Sequence, residues 1–374
     1  MDHFKLVAWN IEDSNQLIGP DLAPKPSAAA RLDAIAEEIA EMAPDILLVG
    51  EGPRGEARAQ ALFDRVAPDH ALVIRDDPSG AAYGTKGNQW LWFLVRKAAP
   101  VTGRLLHLDR WRALTDPGWG DQRRGAKWNV SYPIFNAAAT NLHFHVPGTH
   151  EHYRHPQVLL AEIALPGGGI AHLEVIGCHL KSKINKVHPK GDAYADDFFD
   201  TQPALVADIM TSRIKLTTEA TDLRHYIEGR FRAEPDAAIV VAGDLNDGPG
   251  KERIERRFLY HDLVSNLQGD VFLARQFLNH ALFDFEDAAR WSYDLGRDRL
   301  DPARNPRILL DHIMFTQALT GPDRPDASAF RARAGGGKVE HDVHHRVAAR
   351  RARSAATSDH RAVSMVFDRR AGLA

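Results

Sequence analysis

Apolar residues fall into short runs that alternate with longer amphipathic stretches along the 374 residues of the chain. Phe4 to Trp9 predicts a strand. Ala28 to Met42 predicts a helix with Ser27 as its N-cap, and Asp45 to Val49 a buried strand after Pro44. From Gln89 the pattern changes. Gln89 to Val95, Ile134 to Val146, Gln157 to Leu165 and Ile170 to His179 read as successive strands with no helix between them, which is the pattern of antiparallel sheet. Thr201 to Arg230 predicts a long helix, Ala237 to Ala242 a buried strand, and Arg307 to Thr316 and Ala362 to Phe367 the closing strands. The expectation is an α/β protein with mixed sheets and helices outside them. No repeat and no linker divides the chain, so residues 1-374 are expected to form a single domain. Two excursions, at 110-133 and 321-356, are rich in Arg and Trp or in Arg, Ala, Gly and His, and long loops are commonly functional.

Composition narrows this picture in three ways. Lys plus Arg is 47 against 50 for Asp plus Glu, a formal charge of -3. That excludes a wholesale polycation, and any nucleic-acid partner must be held by a local basic patch. The single cysteine, Cys178, can form neither an internal disulfide nor a multi-Cys zinc site. Met1 to Asn10 lacks the apolar core of a signal peptide, and no run is long enough for a membrane span, so a cytoplasmic setting is expected.

The chemistry-bearing residues stand at the carboxyl ends of predicted strands, where α/β scaffolds present ligands. Lys5 to Trp9 delivers Asn10, and Asp45 to Gly50 delivers Glu51. A carboxamide and a carboxylate oxygen are hard donors suited to Mg²⁺ or Mn²⁺, although a lone Asn or Glu after a strand also serves turns and caps. Leu173 to Cys178 leads into His179, beside Lys181 and Lys183, a set able to meet a phosphate oxygen. Ala238 to Gly243 leads into Asp244 and Asn246, two apart, one able to act on water and the other to hold an oxygen. Asp311 lies in an apolar run and needs a partner, which His360, next to Asp359, can supply.

In order, Trp-Asn-Ile, Gly-Glu, His-Leu-Lys-Ser, Gly-Asp-Leu-Asn-Asp, Leu-Asp-His and Ser-Asp-His span Lys5 to Phe367. This ordered set resembles the exonuclease-endonuclease-phosphatase superfamily, which includes pancreatic deoxyribonuclease and exonuclease III-like enzymes. The resemblance implies a four-layer α/β/β/α sandwich with two central mixed sheets and a divalent metal at one end. It further implies Glu51 as principal metal ligand, Asn10 as its neighbour and Asp359 as a further ligand. His179 would contact the scissile phosphate, Asp244 would position or deprotonate water, and Asn246 would hold a phosphate oxygen. Asp311 would orient His360, which would stabilise or protonate the transition state. Two positions depart from the common pattern: Glu12 stands where Asp or Asn is usual, and Gly50 precedes Glu51 where Gln is commoner.

The expected activity is divalent-metal-dependent hydrolysis of phosphodiester bonds, most simply as a nuclease on DNA or RNA by in-line attack of activated water. The alternatives are a phosphoesterase acting on a phospholipid headgroup, inositol phosphate or other small phosphorylated metabolite, and a catalytically idle binding module. Nucleic acid is favoured because Arg110, Arg112, Arg123, Arg124 and Lys127 are interleaved with Trp111, Trp119 and Trp128. Lys181, Lys183, Lys186 and Lys190 could follow a phosphate backbone, Arg154 is a further phosphate contact, and Arg346 to Arg353 would hang near the site mouth. The histidines at 143, 145, 150, 152 and 155, and at 341, 344 and 345, lack the spacing of a zinc motif. No obligate protein partner is inferred.

Overall fold

The computed structural model describes residues 1–76, 80–115, 149–250, 252–258, 262–321, 328–352 and 355–371, with the backbone of four short strands between 123 and 145. In chain order, the strands of its two main sheets are β1 (His3–Asn10), β2 (Ile46–Gly52), β3 (His70–Val73), β4 (Trp90–Arg96), β5 (Val101–Leu105) and β6 (Gln157–Ala164). They continue as β7 (Ile170–His179), β8 (Ile239–Asp244), β9 (Asn279–His280), β10 (Asp311–Phe315), β11 (Phe330–Val339) and β12 (Val363–Arg369). The principal helices are α1 (Ala29–Met42), α2 (Glu56–Val66), α3 (Leu108–Thr115), α4 (Pro203–Ala233) and α5 (His341–Ala349).

Sheet one has the order β11-β12-β1-β2-β4-β3 and sheet two the order β9-β10-β8-β7-β6-β5. Each is mixed: β1 and β2 are parallel, as are β7 and β8, and the other neighbours run antiparallel. Alternation along β8 shows why its run is apolar throughout. Val240 and Ala242 enter the core between the sheets with Leu48 and Phe93, while Ile239 and Val241 pack with Leu216, Leu223 and Ile227 of α4. A strand buried on both faces has no polar side to alternate with. On the other outer face, Leu32, Ile35 and Ile39 of α1 and Leu62 and Phe63 of α2 pack onto sheet one. The layers therefore run helix, sheet, sheet, helix, as the motif order implied.

Two glycines set the closest approaches. A Cβ on Gly177 would lie 2.7 Å from Leu48 and 2.9 Å from Phe93, so the sheets meet there without side-chain spacing. Gly243 has φ 124°, open to glycine and not to L side chains, and a Cβ there would lie 2.0 Å from the Cys178 carbonyl oxygen.

Several expectations need correction. Gly321 to Ala356 is not a simple excursion: β11 closes the edge of sheet one and α5 packs Val343 and Val347 into the core. Arg346 and Arg350 pair with Glu41 of α1 and Arg351 with Glu37 at 2.6 Å, so α5 and the residues just after it are anchored on α1. Ser27 does not cap α1; it lies in a 3₁₀ turn, Pro26–Ala28, that leads into it. The run Arg307 to Thr316 divides into Arg307–Ile308 and β10, so Asp311 opens a strand where it was read as lying inside one. Within Ile134 to Val146 the structure describes two short paired strands, Tyr132–Phe135 and Leu142–His145. No described helix is long and apolar enough to cross a membrane.

Candidate active site

Sheet register is what gathers the polar residues. Asn10 pairs with Gly50 between parallel β1 and β2, so Glu51 emerges one position later beside it. His179 pairs with Asp244 between parallel β7 and β8, and Asp244 pairs with Asp311 on antiparallel β10. Because β10 runs the opposite way, its first residue lies where the last residues of β7 and β8 lie. The turn after Thr357 then brings Asp359 and His360 to the same end, where Tyr293 bridges to His360. Asn10, Glu51, His179, Asp244, Asp359 and His360 line one cleft of about 580 Å³, with Asp311 buried behind His360.

On the sheet-two side, His360 Nδ1 lies 2.7 Å from Asp311 Oδ2, both side chains buried. Burial alone would lower the pKa of His360, but Asp311, and after it Asp244 and Asp359, raise it to about 10. The imidazolium is therefore the prevailing form at neutral pH, leaving Nε2 as a charged donor. His179 is the converse: burial, with Arg154 and His360, holds its pKa well below the ordinary histidine range, so it is neutral. Its Nε2 is 3.4 Å from Asp244 Oδ2, and its Nδ1 has no partner among the described residues. Asp244 is raised by burial and by Asp311, with His360 opposing, while its Oδ1 accepts the Asn246 backbone N–H at 2.7 Å. Asn246 sits in the left-handed region at φ 53°, and its side-chain amide donates to the Leu180 carbonyl at 2.9 Å.

On the sheet-one side, Glu51 also has a left-handed backbone, φ 55°, at a bulge between β2 and β4. Its Oε2 accepts from the Asp13 backbone at 2.9 Å and from Gln89 at 2.7 Å. Asn10 donates its amide to Asp244 Oδ2 at 3.1 Å and to Glu51 Oε1 at 3.4 Å, while its Oδ1 is buried and has no partner among the described residues. Asp359 is raised by burial and then by the charge of Glu51, with His360 opposing both. Two left-handed non-glycine residues in one cleft mark backbone held by its surroundings, a pattern that concentrates at functional sites.

An orphaned amide oxygen and two mutually repelling carboxylates lining one cleft, all hard donors, fit a divalent cation of the Mg²⁺ or Mn²⁺ kind. Asn10, Glu51 and Asp359 are the residues that would hold it. Among the described residues, two other groups crowd acidic atoms together, and neither is so suited. In one, Asp244 lies beside the Asp311-His360 pair, whose histidine is protonated and so supplies no lone pair to a cation. Asp247, Glu252 and Glu255 already surround the Lys183 ammonium, 3.0 Å from Glu252 and 2.9 Å from Glu255.

Lys183 is thereby removed from the expected phosphate contacts. Trp111 is corrected in the same way: it is buried, stacked on Tyr226 at 4.3 Å, and donates to Asp222 at 3.0 Å, so it offers no face to a base. The side chains of Trp119, Arg123, Arg124, Lys127 and Trp128, and of His143 and His145, lie outside the described residues. His150 contacts Glu219, His152 contacts Asp222 and His344 contacts Glu38, uses that are structural. Arg154 does face the cleft, its guanidinium held by the carbonyls of His179 and Leu180 at 3.1 Å and by Gln89 at 2.9 Å. Lys181 lines an adjoining hollow, its Nζ donating to the Ser182 carbonyl at 2.6 Å.

Sequence reasoning missed Gln89, which links Glu51 to Arg154, and Ser358, whose hydroxyl donates to the Asn10 carbonyl at 2.7 Å. It also missed Tyr293, whose ring lies 4.8 Å from that of His360. A polar residue opening the apolar run at Trp90 was the available signal for Gln89, and the Ser-Asp-His motif already held Ser358; Tyr293 gave none.

The fold and site define a helix-flanked double-sheet scaffold with a carboxylate pole and a histidine pole meeting at one end. No family model matches the chain, and no curated protein is similar to it. Among solved structures it is similar to the endonuclease/exonuclease/phosphatase from Beutenbergia cavernae, with 17% identity, a TM-score of 0.49, and 99% of this chain and 72% of that one covered. It is similar to TDP2 from C. elegans, with 14% identity, a TM-score of 0.47, and 98% and 75% covered. It is also similar to the human Nocturnin catalytic domain, with 13% identity, a TM-score of 0.43, and 99% and 95% covered.

Proposed function

We propose that the chain is a divalent-cation-dependent phosphodiesterase that hydrolyses nucleic acid, DNA or RNA, by in-line attack of water. The observation that carries this reading is the meeting of the Asp311-His360 pair with Asp244, His179 and Asn246, opposite Glu51, Asn10 and Asp359. A diester is slow to hydrolyse because its anionic phosphorus centre repels nucleophiles and its leaving oxygen departs with negative charge. A cation held by Glu51, Asn10 and Asp359 supplies Lewis acidity and a template for the phosphate when bound.

The chain's own groups do the remainder. Asp244, with Oδ2 facing the cleft, aligns the attacking water and accepts its proton, a role that its raised pKa suits. His360, kept protonated by Asp311, donates from Nε2 to the oxygen that gains charge. Neutral His179 and the second amide hydrogen of Asn246 add fixed donors, each worth roughly 3 to 4 kcal/mol in a preorganised site. Arg154 contributes a charge anchored through carbonyls and an amide, so it attracts the phosphate without being spent on a local ion pair.

The test is a panel: purified protein with Mg²⁺, Mn²⁺ or chelator, against an activated diester, single-stranded DNA, plasmid, RNA, sphingomyelin and inositol phosphates. Metal-dependent cleavage of the activated diester and of a polynucleotide is expected. Cleavage of lipid or inositol substrates alone overturns the nuclease assignment, and no metal-dependent cleavage at all overturns the hydrolase.

A further inference from the structure

The catalytic cleft does not end blindly. On one side it shares Arg154, His179 and Ser182 with a hollow of about 540 Å³. On the other it shares Pro189, Leu295, Arg297 and Arg299 with a hollow of about 660 Å³. Three hollows with shared walls make one trough whose middle holds Asp244 and His360 and whose two arms lead away from them.

The arms carry the same kind of surface. The first has Tyr153, 49% exposed, with Lys181 and Lys215. The second has Tyr194, 64% exposed, with Arg297 and Arg299. The nearby carboxylates are already engaged. Glu219 accepts from His150 and from the Lys181 backbone, Glu151 pairs with Lys86, Asp192 accepts the Tyr194 backbone N–H, and Asp298 pairs with Arg304. Among the described residues Lys215, Arg297 and Arg299 make no ion pair, and the lining charges, Lys86, Arg154, Lys181 and Lys215 against Glu151 and Glu219 in one arm and Arg297 and Arg299 against Asp192 in the other, leave each arm net positive. An exposed aromatic ring beside unspent cations is the chemistry that stacks an unpaired base and holds its phosphate.

We infer that the trough holds a single-stranded polynucleotide that continues past the site in both directions, and that the chain is cut internally. A substrate shortened from an end would need only one arm. A small phosphate ester would need neither. The inference rests on the hydrolase reading of the central site, and it fails separately from that reading.

The experiment presents covalently closed single-stranded DNA and RNA circles, linear strands of the same sequence, duplex plasmid and bis(4-nitrophenyl) phosphate to the full chain with Mg²⁺ or Mn²⁺. The expected result is linearisation of a circle, then fragmentation, faster than plasmid nicking. Intact circles beside linear strands trimmed from an end, or a plasmid cut faster than circles, overturn the inference. So does hydrolysis of the small diester alone, which leaves the hydrolase standing; inert diester and inert polymers overturn both. Arg297→Ala with Arg299→Ala is expected to raise KM for the strand about tenfold and to reduce the salt slope of binding by about two, with a smaller loss on the small diester. Equal losses on both substrates, with the salt slope unchanged, overturn the role of this arm.

Discussion

Asn10 of sheet one donates its side-chain amide to Asp244 of sheet two, 3.1 Å away, and this bond joins the carboxylate pole of the site to its histidine pole. The amide oxygen on the other branch is buried and has no partner among the described residues. Asn10→Ala is therefore expected to weaken cation binding about 10- to 100-fold, a loss of the order seen when a metal site loses a supporting group. The rise in Tm with added Mg²⁺ or Mn²⁺ is the measurement, and an undiminished rise would remove Asn10 from the cation site.

His360→Ala and Asp244→Asn are expected to leave cooperative unfolding intact while lowering diester turnover at least about 100-fold, the range of positioned acid-base catalysis. Asp311→Asn should lose activity comparably, because an amide does not sustain the charge on His360. Since Asp311 acts through His360, Asp311→Asn combined with His360→Ala should be no worse than His360→Ala alone. Additive losses would mean that Asp311 has a separate role.

Lys183 is 64 positions from Asp247, yet its ammonium is enclosed by Asp247, Glu252 and Glu255. Among the described residues, Lys183→Met would leave three crowded carboxylates with only Arg213 and Arg304 paired to them. Breaking a buried ion network from one side costs about 3 to 5 kcal/mol. Urea unfolding of the variant should show that loss at neutral pH, and a change under about 1 kcal/mol would place the lysine in solvent.

The same network gives an acid limb to stability. Burial would raise the pKa of Glu252, but Lys183, Arg213 and Arg304 more than reverse this and hold it at about 2, against an ordinary 4.5. A depressed folded-state pKa stabilises above the unfolded value, and that stability is lost as pH falls from about 4.5 through about 2. The contribution is on the order of 3 kcal/mol at neutral pH. Asp247 works in the opposite sense, raised by burial despite Lys183, and so offsets part of it. Denaturant midpoints between pH 6 and 2.5 should fall less steeply in Glu252→Gln than in the parent.

The strand ends were legible because a polar residue closing an apolar run is visible within ten letters. Asn10, His179 and Asp244 are of this kind, and register then placed them side by side. Glu51 shares the signal, but its left-handed backbone left no trace in the letters. Lys183 and Trp111 were read as substrate contacts because a cation or a ring looks the same whether solvated or enclosed. What decides is a partner such as Asp247 or Asp222, 64 and 111 positions away. Gln89 was passed over because it opens a strand, and only the antiparallel pairing of β4 with β2 brings that opening to the end where β2 finishes.

The Ser358 hydroxyl reaches the Asn10 carbonyl across 348 positions, and β12 pairs with β1 along the same seam. During synthesis, Asn10 and Glu51 leave the ribosome long before Ser358, Asp359 and His360 exist. The two poles can face one another only when the last strand closes on the first. The site is thus completed by the last strand pairing with the first, and no shorter stretch of the chain than Asn10 to His360 holds all of its groups.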